Sequence, residues 1–426
     1  MLRRDMFRYL GVSAVGLTNP SLILKSLEES YHSGLDHLKS LSDKDDEDFW
    51  SGIRAAYSVS PTMINLNNGG VAPAPRVVQE ALDYYNRLCN EGPSYYMWRI
   101  LDQGREPLRR NMASIAGCDP EELAFNRNSS EALETVIFGL RLNKADEIVL
   151  TKQDYPNMIN AWKQREKREG IVLKWINFEF PIEDKKKIVN AYVEKFTDKT
   201  KIVHITHAIN WNGQILPAKE IADEAKKRGI EVLVDAAHSF AHIPYKISEL
   251  NCDYFGTSLH KWLSAPIGSG LLYVRKEKIK NLYPLLAAGD PENTDIRKFE
   301  SLGTRSFAIE QSIALAVEFY KMIGAERKYN RLFDLKTYWT KKVLEHPKVK
   351  IISPLSRDYS GAIAGVIVEG KTPAELVDFL FAESKIHTVG IDWENIHGVR
   401  ITPNVYTNYD DLDILVKTIL KFADRK

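Results

Sequence analysis

Two short segments place a carboxylic acid and an amine directly after apolar runs. Asp235 follows the run 232–234, and Lys261 follows the run 254–257 by a few residues. If both runs are neighbouring parallel strands, the acid and the amine meet at the sheet edge where ligands bind. A buried lysine is a nucleophile, and a carboxylate can hold a protonated ring nitrogen. Taken singly, Asp235 could be a turn or cap residue and Lys261 a solvated loop charge.

Two further segments are suited to anions. Small polar residues at 128–130 precede an apolar helical run, so a helix N-terminus could meet a phosphate there. A plain helix cap by Asn128 or Ser129 is the alternative. Arg400 lies inside the apolar run 399–401, where its guanidinium needs a carboxylate or phosphate partner. That partner is either a ligand or a structural salt bridge.

These segments together fit one chemistry. An aldehyde cofactor with a pyridine ring and a phosphate needs a lysine for a Schiff base, an acid at the ring nitrogen and a site for the phosphate. Lys261, Asp235 and the segment 128–130 could supply these in turn. Arg400 would then hold the α-carboxylate of an amino acid through two hydrogen bonds.

The surrounding pattern predicts the elements that position these residues. From about 120 to 275, short apolar runs alternate with longer amphipathic ones. This alternation predicts an α/β fold with a mostly parallel sheet that is covered on both faces. After about 305 the pattern changes to a long helical stretch at about 306–345, followed by an apolar strand, a helix and the strand that contains Arg400. This part is predicted to be a smaller α+β domain.

Composition narrows the class of protein. The chain has 426 residues, of which 44% are hydrophobic and 27% charged, as in an ordinary folded soluble protein. The net charge of +1 argues against a nucleic-acid partner. The three cysteines, Cys89, Cys118 and Cys252, lack CxxC spacing, so neither a thiolate metal site nor a disulfide scaffold is expected.

Seven stretches give the chain a resemblance to a known family. It resembles the class V aminotransferases of the fold type I pyridoxal-phosphate enzymes, and among them the isopenicillin-N-epimerase-like branch, over about residues 60–420. The stretches are LNNGGVAPAPRVV (66–78), RNSSEAL (127–133), HAINWNGQILP (207–217), VDAAHSFAH (234–242), DYFGTSLHKWLSAPIGSGLLYVR (253–275), ESLGTRSFA (300–308) and VRITPNVY (399–406). The resemblance implies pyridoxal 5'-phosphate as cofactor, a large domain with a mostly parallel seven-stranded sheet and a small α+β C-terminal domain.

The resemblance also implies a role for each matching residue. Lys261 forms the Schiff base and moves the α-proton, and Asp235 pairs with the ring nitrogen. Arg400 takes the substrate carboxylate, and Asn68 lies in a substrate-facing turn. The other expected cofactor contacts are Asn128, Ser129, Ser130, Ser258 and His260 at the phosphate, His238 beside the ring hydroxyl and Tyr155 on the ring face. Asn157 is the alternative residue for the contact on the ring face, where the family more often has a histidine.

A homodimer is implied as well. Thr304, in the Gly303-Thr304 turn, would reach the phosphate of the neighbouring subunit's site. The expected substrates are small amino acids and keto acids. The aromatic and basic cluster of Tyr95, Tyr96, Trp98 and Arg99 lines the entrance in one interpretation and is a set of buried or interface side chains in the other.

Aminotransfer is the predicted reaction, and epimerisation of an amino acid is the alternative. An epimerase needs a proton donor on the ring face opposite Lys261, for which Tyr155 is a candidate. A cysteine desulfurase needs a mobile thiol after the Schiff-base lysine, and no cysteine follows Cys252. A non-catalytic binding module is a further alternative. A Rossmann dehydrogenase is disfavoured, because Gly268-Ser269-Gly270 precedes a strand rather than a helix.

The N-terminal residues predict an export segment. Arg3 and Arg4, followed by a mildly apolar stretch at 10–17, resemble a twin-arginine signal, which favours a periplasmic or exported protein over a cytoplasmic one. Arg8 interrupts this stretch, and an amphipathic helix is the alternative. The predicted divisions are a signal and linker at 1–50, a large pyridoxal-phosphate-binding domain at 51–305 and a small domain at 306–426. No later stretch suits stable membrane insertion.

Overall fold

The computed structural model describes residues 46–425. The predicted export signal and most of the linker therefore lie outside the described residues. The acidic run near residue 46 begins the helix Asp46–Ala55, whose first turn holds three acidic side chains. Negative charge is favourable there because it faces the positive end of the helix dipole. Phe49 and Ile53 of this helix are fully buried, so it packs against the folded body.

The strands divide into three sheets. In chain order they are β1 Ile64–Asn65, β2 Leu123–Asn126, β3 Glu147–Thr151, β4 Val172–Ile176, β5 Thr200–Thr206, β6 Glu231–Asp235, β7 Tyr254–Ser258, β8 Gly270–Val274, β9 Val349–Ile351, β10 Ala364–Val368, β11 Ile386–His387, β12 Val389–Trp393 and β13 Ile396–Ile401. The largest sheet has seven strands in the order β2-β8-β7-β6-β5-β3-β4. Only β8 runs antiparallel to its neighbours, which confirms the predicted α/β fold with a mostly parallel sheet.

Helices cover both faces of this sheet. The longer ones are Asp46–Ala55, Arg76–Glu91, Arg105–Ala116, Ser129–Gly139, Pro156–Glu169, Lys185–Val193, Ala218–Lys226, Phe307–Ile323, Ala325–Val343, Pro373–Ser384 and Tyr409–Ala423. The helical stretch predicted at 306–345 is in fact two helices that meet at Gly324. The backbone φ of this residue is 84°, in the region that glycine tolerates best, and it ends the first helix.

The central strands are continuous apolar runs because each face packs on its own core. Along β6, Leu233 belongs to one hydrophobic cluster, whereas Val232 and Val234 belong to the other. Burial on both faces is typical of parallel sheets that helices cover on either side. In β6 the polar side chains are confined to the two ends, Glu231 and Asp235.

The C-terminal part contains the four-stranded antiparallel sheet β12-β13-β10-β9. The short strand β1 comes from the N-terminal segment yet pairs in parallel with β11. A further bridge joins Asn67 to Thr402, just beyond β13. These contacts hold the turn at 67–70 beside Arg400, which lies near the end of β13. Within residues 46–425, no helix is long and apolar enough to cross a membrane.

Candidate active site

Three neighbouring strands end together at one edge of the large sheet. Thr206 of β5 pairs in register with Asp235 of β6, and Asp235 pairs with Gly256 of β7. The loop after β7 then contains Lys261. The structure therefore brings Asp235 and Lys261 to the same edge, as expected of consecutive parallel strands.

The Lys261 side chain points towards a buried histidine. Its Nζ lies 3.1 Å from Nε2 of His238. Burial, with a smaller contribution from the positive charge of Arg400, lowers the pKa of Lys261 to about 8, while Asp235 opposes the shift. Burial and the same two cations hold the pKa of His238 well below its ordinary value. The pair therefore favours a neutral histidine and a lysine that is partly neutral near pH 8.

Asp235 is almost completely buried, with 4% of its surface exposed. Burial raises its pKa, whereas His204, a hydrogen bond from the Ala237 backbone N–H and Lys261 act in the opposite direction. This carboxyl is thus suited to share a proton with a buried basic group. Such a partner is what the predicted ring nitrogen would provide.

The expected phosphate end of the site lies at the N-terminus of the helix Ser129–Gly139. Oγ of Ser258 accepts a hydrogen bond from the Ser129 backbone N–H at 2.8 Å and lies 3.0 Å from the Ser129 hydroxyl. Ser130 follows in the same first turn. The side-chain oxygen of Asn128 accepts a hydrogen bond from the Glu131 backbone N–H, so this residue caps the helix, as the alternative interpretation held. Its role as a phosphate contact stays a prediction.

Two other predicted phosphate contacts lie in different surroundings. His260 is buried next to Lys261, and its Nδ1 lies 3.0 Å from the Ser269 carbonyl oxygen, which leaves Nε2 without a partner among the described residues. Burial lowers the pKa of His260. Thr304, in contrast, is exposed beside Gly303, and it is not brought together with the other site residues of its own chain.

Arg400 is a buried cation without an acidic partner among residues 46–425. One terminal nitrogen donates to the Asn210 carbonyl oxygen and the other to Oδ1 of Asn67, each at 2.9 Å, while Nε has no partner. Burial lowers its pKa to about 10, although Tyr155 opposes this shift. The structural salt bridge considered from the sequence is thus not formed, and the guanidinium is available to an anionic ligand.

In the turn at 67–70, Asn68 bonds to the surrounding protein and Asn67 contacts Arg400. Asn68 is fully buried, donates to the Thr402 carbonyl oxygen at 2.8 Å and accepts from the Tyr406 hydroxyl at 2.6 Å. Its predicted contact with substrate stays untested, because these bonds tie it to the protein itself. Asn67, which sequence reasoning did not single out, is the residue that touches Arg400.

Gly69 and Asn210 were also missed as site residues. A Cβ at Gly69 would lie 3.0 Å from the Thr402 methyl group, which is tight, and 3.6 Å from both the Arg400 guanidinium carbon and the His238 ring, so Gly69 is a close neighbour of both site residues. Asn210 holds Arg400 through its backbone carbonyl, which no side-chain pattern could have indicated. Its position directly after β5, at the ligand-binding edge, was the available signal.

The Tyr155 side chain is 40% exposed at the N-terminal end of the helix Pro156–Glu169. Its ring stacks on Trp211 at a centroid distance of 6.4 Å. The phenol has no hydrogen-bond partner among the described residues, and it is close enough to Arg400 to affect its pKa. Asn157, two residues onward, is also exposed. Tyr155 is therefore better placed than Asn157 to face a ligand beside Arg400.

Comparisons with known proteins identify the family of this chain. The model of the family described as "Aminotransferase class-V" matches residues 64–390, well over half of the chain. The chain belongs to this family. A class V relative, isopenicillin N epimerase of Streptomyces clavuligerus, is 27% identical over 87% of this chain and 97% of that protein. This finding confirms the resemblance to the epimerase-like branch.

Two further proteins are similar. A probable cysteine desulfurase of Halalkalibacterium halodurans is 28% identical over 84% of this chain and 93% of that protein. The solved structure of a cysteine desulfurase from Thermococcus onnurineus has a TM-score of 0.79 and 22% identity, covering 90% of this chain and 99% of the other. The fold is accordingly that of the fold type I enzymes, which use pyridoxal phosphate.

The residues present fit this cofactor. Asp235 is a buried acid without a charged hydrogen-bond partner, and Nδ1 of His238 is buried without a partner among the described residues. Ser129 and Ser258 meet at a helix N-terminus, which favours a phosphate. Lys261, whose pKa is depressed, is close enough to Arg400 for its positive charge to contribute to that shift. These groups match the ring nitrogen, ring hydroxyl, phosphate and aldehyde of pyridoxal phosphate.

Proposed function

We propose that this class V enzyme is a pyridoxal-phosphate-dependent aminotransferase that converts small amino acids and keto acids. The observation that carries the proposal is the position of Lys261. This amine is buried, has a pKa lowered to about 8, and lies 3.1 Å from His238. An amine that loses its proton near neutral pH is suited to accept and return a proton during each turnover.

Bound pyridoxal phosphate supplies an electron sink that weakens the bonds to the α-carbon of an amino acid. The protein must then decide which bond breaks. Arg400 would hold the α-carboxylate with its two terminal nitrogens, so that the α-hydrogen faces Lys261. Asp235 would hold a proton at the ring nitrogen, and Nδ1 of His238 would donate to the ring hydroxyl. The serine pair at the helix N-terminus would anchor the phosphate.

A single base supports transfer rather than epimerisation. Transamination takes a proton from one carbon and returns it to another on the same face, which one lysine can do. Epimerisation requires a second acid on the opposite face. At the described site, Lys261 is the side chain whose pKa, lowered to about 8, suits a base near neutral pH. Lys261 as sole base is therefore the simpler assignment.

Epimerisation remains a second candidate because of Tyr155. Its phenol is 40% exposed and has no hydrogen-bond partner among the residues from 46 to 425. A free phenol beside Arg400 could deliver a proton from the side opposite Lys261. The relatives named isopenicillin N epimerase also span nearly their full length in the alignment.

Deuterated water separates the two reactions. The loaded enzyme is incubated with an L-amino acid and a keto acid, and products are followed by chiral chromatography and mass spectrometry. Transfer predicts a new amino acid and a new keto acid, with little loss of rate in Tyr155→Phe. Deuterium incorporation with inversion and no keto product, abolished in Tyr155→Phe, would establish the epimerase instead.

Desulfurase activity does not suit the thiols of this chain. Cys252 is buried just before β7 and precedes Lys261 in the sequence, and burial raises its pKa to about 12. Burial raises the pKa of Cys118 to about 12 as well. A thiol with such a pKa is almost entirely protonated at neutral pH and is a poor nucleophile.

The proposal also includes the assembly of the enzyme and its location in the cell. The enzyme acts as a homodimer, in which the exposed Thr304 turn completes the phosphate site of the neighbouring copy. It is exported in folded form. The arginine pair at positions 3 and 4, which resembles a twin-arginine signal, supports this part of the proposal. A non-catalytic binding module would take up the cofactor without converting any amino acid in the assay above.

A further inference from the structure

We propose that Trp393 is a positioning residue of the active site: from the tip of the hairpin β12–β13 it fixes Tyr155 relative to Arg400. The inference rests on the proposed function, since it assigns both of those residues to ligand binding. It starts from a feature of the topology. Trp393 ends β12 and Arg400 lies on β13, and the two strands pair in one antiparallel register. One hairpin therefore holds a substrate-binding residue and an aromatic anchor.

The Trp393 indole is docked on the large domain in two ways. Its ring stacks on Trp211 with centroids 5.3 Å apart and planes inclined by 21°. Its Nε1 donates to the Lys152 carbonyl oxygen at 2.9 Å. Stacking and a directional hydrogen bond together define both the distance and the rotation of the indole. The hairpin tip is thus held in one place on the segment that precedes Tyr155.

Trp211 passes this contact on to the site. Its other stacked neighbour is Tyr155, and its own Nε1 donates to the Gln153 carbonyl oxygen at 2.9 Å. The preceding residue, Asn210, provides the carbonyl oxygen that accepts from Arg400. Trp211 therefore contacts the Tyr155 ring and directly follows the residue that holds Arg400.

Amide side chains fasten the same junction. Nε2 of Gln153 donates to Oδ1 of Asn395 in the hairpin turn at 2.9 Å, and the Asn395 amide donates to the Phe178 carbonyl oxygen at 2.8 Å. A nearby ion pair between Lys152 and Glu394 has a separation of 3.8 Å and is exposed, so it contributes little. The hydrogen bonds and the indole stack are the specific contacts.

The opposite side of the Tyr155 segment is attached to the sheet. The carboxylate of Asp154 accepts hydrogen bonds from the backbone N–H and the hydroxyl of Thr151, and from the hydroxyl of Thr206 at the end of β5. Asp154 is 1% exposed. The segment is consequently held from the sheet by Asp154 and from the small domain by Trp393. Loss of Trp393 should weaken only the second attachment, in which the Asn395 hydrogen bonds remain.

Catalysis depends on this placement, because small displacements of reacting groups are costly in rate. If Tyr155 moves relative to Arg400, the ring-face contact and the carboxylate contact can no longer be made at once. Weakening of the junction should therefore reduce cofactor affinity and raise KM together. A merely structural tryptophan would lower thermal stability and leave both constants unchanged.

The test uses two variants of the full chain and a matched control. Trp393→Phe keeps a stacking ring and removes the N–H donor, whereas Trp393→Leu removes both. Trp175→Phe changes a half-buried tryptophan on the outer strand β4, away from the site. We measure the Kd of pyridoxal phosphate for the apoprotein by fluorescence quenching, then KM and kcat. Trp393→Leu is expected to raise Kd and KM at least tenfold, Trp393→Phe to give intermediate values, and Trp175→Phe to match the unaltered chain.

A double-variant cycle supplies the decisive comparison. If Trp393 acts through Tyr155, adding Trp393→Leu to Tyr155→Ala should change Kd less than twofold, because the ring to be positioned is already absent. Full additivity of the two effects would overturn the inference, as would an unchanged KM and Kd in Trp393→Leu with a lowered Tm. An unaltered chain that takes up no pyridoxal phosphate would overturn the proposed function itself, so the two failures are distinguishable.

Discussion

Arg400 shows how a single side chain defines the substrate end of this site. It is 6% exposed, and its two polar contacts are neutral oxygens of Asn210 and Asn67. A buried cation without an anion is unfavourable unless a ligand provides one. The energetic cost of keeping this guanidinium buried is thus offset when a carboxylate binds.

Arg400→Lys is therefore expected to weaken substrate binding more than chemistry. Lysine retains the charge but cannot form two parallel hydrogen bonds to a carboxylate. We expect KM for the amino acid to rise by a factor of about 10 to 100, equivalent to roughly 1.4–2.8 kcal/mol, with kcat changed much less. Steady-state kinetics measure this, and Arg141→Lys at an exposed ion pair is the control. Equal KM values in all three proteins would contradict the assignment.

At this scale the sequence indicated the charged residues but missed the two asparagines that contact Arg400. Asp235, Lys261 and Arg400 were recognisable because charge after or within an apolar strand needs a reason. Asn67 was not, because asparagine in a glycine-rich turn has an ordinary conformational explanation. Asn210 contributes only a backbone carbonyl, and every residue possesses one.

The helix Ala325–Val343 contains a second buried lysine, Lys328, next to the loop that holds Lys261. Lys328 is 4% exposed and donates a hydrogen bond to the carbonyl oxygen of Trp262, the residue after Lys261. Burial lowers its pKa to about 7. This hydrogen-bond acceptor is neutral, and no carboxylate among residues 46–425 forms an ion pair with the Lys328 amine, so its positive charge is not compensated.

Lys328 should make folding stability depend on pH. Between pH 7 and pH 10.5 the amine is less protonated in the folded than in the unfolded protein, so the free energy of unfolding rises with pH. The contribution is up to about 1.4 kcal/mol per pH unit. Lys328→Met should remove this contribution, as measured by urea unfolding of the apoprotein at about pH 7.5, 8.5 and 9.5. Lys167→Met on an exposed helix face is the control, and identical slopes for Lys328→Met and the unaltered chain would refute the expectation.

The elements were predictable where their pattern is local. The strands β3 to β8 are short apolar runs, most of them separated by amphipathic stretches that form helices, and they form as expected. The helix break at Gly324 was missed, since an isolated glycine inside a helical pattern is often tolerated. The pairing of β1 with β11 joins residues more than 300 positions apart, and nothing in either two-residue strand specifies its partner.

The whole molecule arranges a rigid sheet edge and a smaller domain around one site. Asp235 and Lys261 come from the large sheet and its loops, whereas Arg400 comes from the C-terminal sheet. The division at residues 50 and 305 remains a prediction. The strand pairing of Ile64–Asn65 with Ile386–His387 shows that the N-terminal segment contributes to the C-terminal part of the fold.

Thr304 provides the test of assembly. Its turn is exposed, and no hydrogen bond among residues 46–425 joins Thr304 to the site residues of its own chain, although the resemblance assigns it to a phosphate. We expect light scattering to give twice the 48.6 kDa of the chain. Thr304→Ala should weaken pyridoxal-phosphate binding about threefold to tenfold, as the loss of one hydrogen bond to a charged group would. A monomer with full cofactor affinity would contradict both expectations.

The most direct test of the account is to identify the lysine that bonds to the cofactor. The protein is loaded with pyridoxal phosphate, reduced with borohydride to make the link permanent, digested and sequenced by mass spectrometry. Lys328 and Lys336 serve as internal competitors, because burial also lowers their pKa values, to about 7 and about 8. The account predicts a phosphopyridoxyl adduct on Lys261 alone, absent in Lys261→Ala. An adduct on another lysine, or none in the unaltered chain, would contradict it.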